Sequence, residues 1–175
     1  MKVINLFGGP GVGKSTTGLV LAGLLKIEGF EAEYVPEFAK FAVWSDNQAA
    51  LSDQIYMFAK QENRLHVLRD AGLDFVITDG PLPQALLYCP PGYFASYRQL
   101  VLDVFKSYQN INFFLERNPA LPYQQLGRLQ SEEEAQTLCD KVLALCEEAG
   151  IELDRRHVSP SLPQELLSHL KGTTS

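Results

Sequence analysis

The segment from Gly8 to Ser15 constrains the fold of this chain more than any other part of its sequence. It reads Gly-Gly-Pro-Gly-Val-Gly-Lys-Ser and satisfies the pattern GxxxxGK(S/T) in full. An apolar run at 2–7 precedes it, as expected of a strand buried on both faces. Apolar residues at helical spacing follow it at 14–28. This strand–loop–helix context predicts a phosphate-binding loop rather than a chance glycine-rich turn.

The residue types in this loop suit the binding of a nucleoside triphosphate. Its glycines let backbone N–H groups approach phosphate oxygens, and the following helix N-terminus adds partial positive charge. We expect Lys14 to bridge the β- and γ-phosphates, Ser15 to coordinate Mg²⁺, and Thr16 to lie near the α-phosphate. The residues predicted to hold ATP are therefore Gly8, Gly9, Pro10, Gly11, Val12, Gly13, Lys14, Ser15 and Thr16.

Five strand-like runs alternate with helical stretches along the chain, which predicts an α/β fold with helices on both faces of a parallel sheet. We expect one domain at 1–171 and a frayed tail at 172–175. Strands are predicted at 2–7, 31–35, 74–78, 111–115 and 156–158. Helices are predicted at 14–28, from a Ser52 cap to Gly72, at 96–108, from a Ser131–Glu134 capping box to 148, and at 164–170.

Two carboxylates follow predicted strands, at the edge where open α/β sheets bind their ligands. Glu37 follows the second strand, and Asp79 follows the apolar run Phe-Val-Ile-Thr of the third. We expect Asp79 to support Mg²⁺ or to act as a base. Glu37 is expected to bind the acceptor or to be the base that takes its proton. The sequence leaves both assignments open.

The residue after Asp79 argues against water as the phosphate acceptor. ATPases of the AAA+ type usually carry a glutamate there to polarise water, whereas this chain has Gly80 followed by Pro81. The guanine signature NKxD and the switch motif DxxG do not occur in the sequence. Phosphate transfer to a bound hydroxyl is therefore favoured. The alternative from another class is a regulatory switch that binds ATP and a partner protein.

The segment at 117–130 is predicted to form a small lid over the phosphates. Negative charge spreads over a moving phosphoryl group, so cations must close over it and water must be kept out. Arg117 and Arg128 lie in this segment, after the fourth strand, and are the candidate clamps. The alternative is that they are ordinary exposed loop arginines.

Three residues at helical spacing after Ser52 are candidates for holding the acceptor. Phe58 is suited to stacking on a ring, while Gln61 and Arg64 are suited to polar contacts. The alternative is that Phe58 belongs to the core and that the polar residues face solvent.

Composition narrows the function classes. The net charge of −6 argues against tight, nonspecific binding to nucleic acid. The three cysteines form no CxxC pair, so neither a disulfide framework nor a zinc site is indicated. No apolar run reaches the length of a membrane span, and the N-terminus does not read as a signal peptide. These features predict a cytoplasmic protein that does not enter membranes. The sequence is compatible with a homodimer.

With its flanking segments, the phosphate loop resembles that of bacteriophage P-loop kinases, which are related to the nicotinamide ribonucleoside kinase domain and, more distantly, to thymidylate kinase. The resemblance spans nearly the whole chain. It rests on the loop itself, on the order of four further segments, and on the spacing between them. Those segments are Val-Pro-Glu-Phe-Ala-Lys around Glu37, the stretch at 58–65, Ile-Thr-Asp-Gly-Pro at 77–81, and the stretch from Tyr123 to Ala135.

The resemblance implies a five-stranded parallel sheet of order 2-3-1-4-5, bound ATP and Mg²⁺, and an acceptor of nucleoside or nucleotide type. The phage members it resembles include kinases of 5-hydroxymethyluracil in DNA, a step towards hypermodified thymidine. That acceptor ranks first, followed by free deoxynucleotides and nicotinamide riboside. A phage-encoded protein would work in the host cytoplasm. Gly80 departs from the serine found at this position in many relatives, which puts the acceptor contacts there in doubt.

Overall fold

The sheet of this chain has five parallel strands in the order β2-β3-β1-β4-β5, as the resemblance implies. The structure is a computed structural model and describes residues 1–118 and 131–172. The α/β prediction is therefore confirmed. The strands are β1 Lys2–Phe7, β2 Ala32–Val35, β3 Phe75–Thr78, β4 Gln109–Glu116 and β5 Asp154–His157.

Helices cover both faces of the sheet because successive strand residues point to opposite sides. In β1, Ile4 and Leu6 join a core cluster with α1 and α7, whereas Val3 and Phe7 join a second cluster with α4, α5 and α6. The helices are α1 Lys14–Ile27, α2 Phe38–Trp44, α3 Gln48–Ser52, α4 Gln54–His66, α5 Ala95–Lys106, α6 Glu132–Glu148 and α7 Leu162–Gly172, and Leu82–Tyr88 form a 3-10 helix.

The register of the strands brings the predicted functional segments to one edge. In β1, Asn5 pairs with Thr78 of β3, and Val35 at the end of β2 pairs with the same Thr78. The ends of β1, β2 and β3 therefore lie side by side. The phosphate loop and both predicted carboxylates emerge from these adjacent ends, as expected for a parallel sheet.

The region between β2 and β3 differs from the prediction in three ways. Two short helices, α2 and α3, precede the long helix, and Asp53 rather than Ser52 caps it. The Asp53 carboxylate accepts a hydrogen bond from the Tyr56 N–H at 3.0 Å, whereas the Ser52 hydroxyl donates to the Ala49 carbonyl within α3. Helix α4 ends at His66, and turns lead from there to Gly72.

Helix α7 ends at Gly172, the first residue that the sequence assigned to the tail. The domain limit at 171 and the frayed tail stay predictions. Residues 173–175 lie outside the described part. Over 1–118 and 131–172, every helix is too short or too polar to cross a membrane.

The corrected cap of α4 is testable by paired substitutions. Asp53→Ala removes the side chain that accepts from the Tyr56 N–H. We expect it to lower the free energy of unfolding by about 1 kcal/mol. Ser52→Ala should change it by less than about 0.5 kcal/mol because the Ser52 hydroxyl is exposed and bonds within its own short helix. Urea unfolding of both variants checks this, and a larger loss for Ser52→Ala would restore the original cap assignment.

Candidate active site

The loop between β1 and α1 has the conformation of a phosphate cradle. Gly13 caps α1 with a left-handed φ of 106°, which glycine adopts without strain. The Lys14 ammonium donates to the carbonyl oxygens of Gly8 and Gly9, both at 2.8 Å, so it lies across the loop. Glycine backbone, a central ammonium and a helix N-terminus together fit the phosphates of a nucleoside triphosphate.

Helix α6 packs against this loop at Gly9. The sequence pattern did not indicate this contact. The Gly9 N–H donates to the Cys139 Sγ at 3.2 Å. A Cβ atom on Gly9 would lie 2.5 Å from the Ala135 carbonyl oxygen and 2.6 Å from the Cys139 Sγ. Since a real side chain cannot approach that closely, Gly9 is required for close packing of the loop on α6.

The Asp79 carboxylate connects the phosphate loop to the end of β2. It is only 2% exposed, and its Oδ2 accepts from the Ser15 hydroxyl at 2.5 Å. Its Oδ1 accepts from the Glu37 N–H at 2.7 Å. The structure thus brings together Ser15 and Asp79, the two predicted metal-binding residues. A hydroxyl and a carboxylate are oxygen ligands of the kind Mg²⁺ prefers, so this pair fits the ion.

The rest of the described chain offers no other obvious metal centre. Within 1–118 and 131–172, no three histidine, cysteine, aspartate or glutamate side chains form a group that could hold an ion. A two-ligand site is consistent with Mg²⁺, which keeps several waters and takes further oxygens from phosphates.

Tyr34 is a site residue that the sequence analysis missed. Its pKa is raised first by burial and then by the charge and hydrogen bond of Asp79, so its hydroxyl lies beside that carboxylate and stays protonated. Its ring packs on α1, where a Cβ atom on Gly18 would lie only 2.7 Å from the Tyr34 Cε2. The strand pattern of β2 did not reveal which of its residues turns towards the site.

Glu37 lies at the start of α2, where its side chain is positioned by the end of β3. Desolvation raises the pKa of Glu37, the positive charge of Lys14 opposes that rise, and the negative charge of Asp79 adds to it. A Cβ atom on Gly80 would lie 3.0 Å from the Glu37 Cα and 3.1 Å from its Cβ and Cγ. Gly80 therefore leaves room for Glu37, which a side chain at this position would have to displace.

A cleft that is partly open to solvent lies beside Glu37. Its wall is mostly apolar, with a few polar groups that can orient a ligand. Its lining residues include Glu37, Phe58, Gln61, Gly80, Gln84 and Tyr88.

The three predicted acceptor residues have different positions. Phe58 lines the cleft and contacts the Tyr97 ring edge-on. Gln61 also lines it, but its amide is engaged internally. Its Oε1 accepts from the Phe38 N–H at 2.7 Å, and its Nε2 donates to the Thr78 hydroxyl at 3.2 Å.

Arg64 is placed behind the cleft wall rather than among its lining residues. Its guanidinium donates to the Pro36 carbonyl at 2.9 Å and lies 5.0 Å from the centre of the Phe38 ring. Arg64 and Gln61 thus hold the turn between β2 and α2, which carries Glu37, through hydrogen bonds to the backbone on either side of it. A direct acceptor contact by Phe58, Gln61 or Arg64 stays a prediction.

The predicted lid is described only at its first residues. Arg117 follows β4 directly and is partly buried. Arg128 and the remainder of the lid, from residue 119 to 130, lie outside the described part. The clamp role of both arginines stays a prediction.

The comparisons with known proteins agree with this geometry. The family profile described as an AAA domain matches residues 3–156. The chain belongs to the AAA-domain family. No curated protein sequence matches it significantly.

Solved structures of kinases share the fold. Thymidylate kinase from Ehrlichia chaffeensis is 13% identical with a TM-score of 0.61, and the match covers 97% of this chain and 98% of that one. Shikimate kinase from Aquifex aeolicus vf5 is 16% identical with a TM-score of 0.56, over 99% and 98% of the two chains. At these identities the similarity establishes a P-loop kinase fold.

The NadR protein in complex with NAD and AMP-PNP is a further structural neighbour. It is 19% identical with a TM-score of 0.64, and the match covers 88% of this chain. The chain spans only 44% of the length of that NadR chain. A second NadR structure, in complex with NR, has a TM-score of 0.65 at the same identity.

The packing of the loop on α6 predicts opposite effects of alanine at two glycines. Gly9→Ala places a methyl group against the Ala135 carbonyl, and overpacking of this kind costs about 1–3 kcal/mol. We expect weaker ATP·Mg²⁺ binding by isothermal titration and a lower melting temperature. Gly23→Ala is the control because nothing lies within 4 Å of its added Cβ. It should keep ATP affinity and add about 0.5–1 kcal/mol of stability to α1. Normal ATP binding by Gly9→Ala would contradict the packing argument.

Proposed function

We propose that this protein is an ATP-dependent kinase that transfers the γ-phosphate to a hydroxyl of a nucleoside- or nucleotide-type acceptor bound in the cleft. One observation carries the proposal. The Asp79 carboxylate accepts hydrogen bonds both from the Ser15 hydroxyl of the phosphate loop and from the backbone N–H of Glu37 at the cleft. The phosphate donor and the acceptor would therefore meet at a single buried group, as transfer between two bound substrates requires.

The residues divide the reaction between them. Lys14 would neutralise charge on the β- and γ-phosphates, while Ser15 and Asp79 would hold Mg²⁺, which supplies further charge neutralisation when bound. The acceptor oxygen forms a bond to the γ-phosphorus as the bond from that phosphorus to the ADP oxygen breaks. The hydroxyl proton passes to a carboxylate, and the predicted clamps Arg117 and Arg128 would close over the transferred group.

Glu37 is better placed than Asp79 to be that base. Both Asp79 oxygens are engaged, one by the Ser15 hydroxyl and one by the Glu37 N–H. Glu37 lines the cleft, and its pKa is raised by desolvation, which brings its basicity closer to that needed at neutral pH. The geometry therefore supports Asp79 as the metal ligand and Glu37 as the proton acceptor.

The acceptor class follows from the cleft and from the sequence resemblance. A mostly apolar wall containing Phe58 suits a flat ring, and the polar groups suit its substituents. 5-Hydroxymethyluracil in phage DNA ranks first on the resemblance, and such a base would have to leave its stack to enter the cleft. Free deoxynucleotides and nicotinamide riboside are the alternatives, and the net charge of −6 favours them. We place the enzyme in the cytoplasm, that of the host if the chain is phage-encoded.

Transfer from labelled ATP to a panel of acceptors tests the proposal. The panel contains duplex DNA with 5-hydroxymethyluracil, free deoxynucleotides and nicotinamide riboside, each assayed with Mg²⁺. We expect label in one acceptor class, and Lys14→Ala should lower that transfer by at least about 10²-fold. Lys106→Ala is the matched control, because Lys106 is an exposed lysine in the last turn of α5, outside the loop and the cleft. ATP binding without transfer to any acceptor would favour the regulatory-switch alternative.

Glu37→Gln should separate activity from stability. Because the folded-state pKa of Glu37 is raised, its charged form destabilises the fold at neutral pH. This penalty is absent below the unfolded pKa of about 4.3 and grows as the pH rises towards the folded value. Glu37→Gln should therefore unfold at a higher temperature than the parent at pH 7 and lose that advantage at pH 4. Transfer should fall by about 10²–10⁴-fold.

The parent enzyme offers a second readout of the same group. Its kcat/KM should fall on acidification through a pKa above that of an ordinary glutamate. An acid limb at or below about 4.3, together with unchanged activity of Glu37→Gln, would remove Glu37 from the role of base.

A further inference from the structure

Gln84 occupies the boundary between the cleft and the phosphate loop. It lies on the 3-10 helix Leu82–Tyr88 and is one of the cleft-lining residues. Its Nε2 donates to the Gly8 carbonyl at 3.2 Å. The same carbonyl accepts from the Lys14 ammonium at 2.8 Å. The side-chain amide therefore sits next to the cation expected to hold the γ-phosphate.

The Gly8 carbonyl fixes which way the Gln84 amide faces. A carbonyl only accepts hydrogen bonds, so the amide must present its NH₂ group to Gly8 and turn Oε1 away. That Oε1 is buried and has no hydrogen-bond partner among the residues the structure describes. A buried carbonyl oxygen without a donor is unfavourable and uncommon in native proteins, so it calls for a partner.

We propose that Gln84 turns its Oε1, which is shielded from solvent in this structure, into the cleft when the acceptor binds. Oε1 then accepts a hydrogen bond from the acceptor and so determines which acceptors are phosphorylated. The inference rests on the proposed kinase function and adds a specificity residue to it. The donor is a group other than the hydroxyl that is phosphorylated, because the proton of that hydroxyl goes to Glu37. A second sugar hydroxyl and a ring or carboxamide N–H share this chemistry.

Such a contact excludes simple alcohols as substrates. A site built to hydrogen-bond a substrate donor rejects an analogue that lacks it, since the protein oxygen is then left buried and unpaired. Because the Gln84 NH₂ is bonded to Gly8, an acceptor that pairs with Oε1 is also held against the phosphate loop. Recognition of the acceptor and its placement beside the γ-phosphate would thus depend on one side chain.

Donor-deletion analogues test the inference on the full chain. The parents are thymidine, 5-hydroxymethyl-2′-deoxyuridine and nicotinamide riboside. Each is compared with its 3′-deoxy analogue and with an analogue that lacks the N–H donor, N3-methylated for the two pyrimidine nucleosides and N,N-dimethylated at the carboxamide for nicotinamide riboside. For the parent enzyme we expect one deletion to lower kcat/KM by at least about 10²-fold. Loss with the 3′-deoxy analogue identifies a sugar hydroxyl as the donor, and loss with the methylated analogue identifies the N–H.

The decisive variant is Gln84→Met, which keeps the side-chain length but has no amide. The ratio of kcat/KM between parent acceptor and analogue should fall towards one. Gln84→Asn, whose amide is one carbon shorter, should do the same and replaces the methionine variant if that one does not fold. Gln99→Met is the matched control, because Gln99 is exposed on α5, and should keep the full ratio.

Two results overturn the inference. If Gln84 only steadies Gly8, Gln84→Met will raise the KM for ATP, slow every acceptor equally and preserve the ratio. If no donor deletion lowers kcat/KM of the parent enzyme, or if no member of the panel binds to it, Oε1 does not accept a hydrogen bond from the acceptor. Kd values measured by titration for each acceptor and its analogue give the same comparison without phosphate transfer. They therefore distinguish this outcome from a failure of the kinase proposal. Binding with donor selectivity but without transfer would contradict the kinase function alone.

Discussion

The buried Asp79 carboxylate is the interaction on which the rest of the site depends. A charge with so little exposure is tolerated only when donors satisfy its oxygens. Here the Ser15 hydroxyl donates to one oxygen and the Glu37 N–H to the other, and the Tyr34 hydroxyl lies close by. The three groups come from different elements: the start of α1, the turn after β2 and β2 itself. The carboxylate therefore fixes the phosphate loop relative to the cleft, and in the proposed mechanism it also offers an oxygen to Mg²⁺.

Further hydrogen bonds hold Asp79 and Glu37 in fixed positions relative to each other. The Thr78 hydroxyl accepts from the Gly80 N–H at 3.1 Å and from Gln61, whose own amide oxygen holds the Phe38 N–H. The C-terminal end of β3 is thus joined to the N-terminal end of α2 through Gln61 of α4. Because Gly80 has no side chain, Glu37 packs directly on this junction. The proposed base, Glu37, and the proposed metal ligand, Asp79, are thus positioned through contacts to the backbone.

The sequence predicted the parts of this arrangement that obey local rules. The phosphate loop, the strand ends at Glu37 and Asp79, and the α/β alternation follow from spacing and residue type. Three other features depend on which surfaces meet in three dimensions, so no local pattern encodes them. These are the packing of Cys139 on Gly9, the turn of Tyr34 towards Asp79, and the amide of Gln84 on Gly8. The α4 cap was misassigned because Ser52 and Asp53 are adjacent and both are good caps.

The central claim is that the γ-phosphate passes to a hydroxyl held in the cleft and not to water. Turnover in water enriched in heavy oxygen tests it directly, with ADP, phosphorylated acceptor and free phosphate quantified by mass spectrometry. The account predicts one ADP per phosphorylated acceptor, no heavy oxygen in the transferred phosphate, and ADP release that depends on the acceptor. Release of heavy-oxygen phosphate at the same rate with and without acceptor would contradict it and identify the protein as an ATPase.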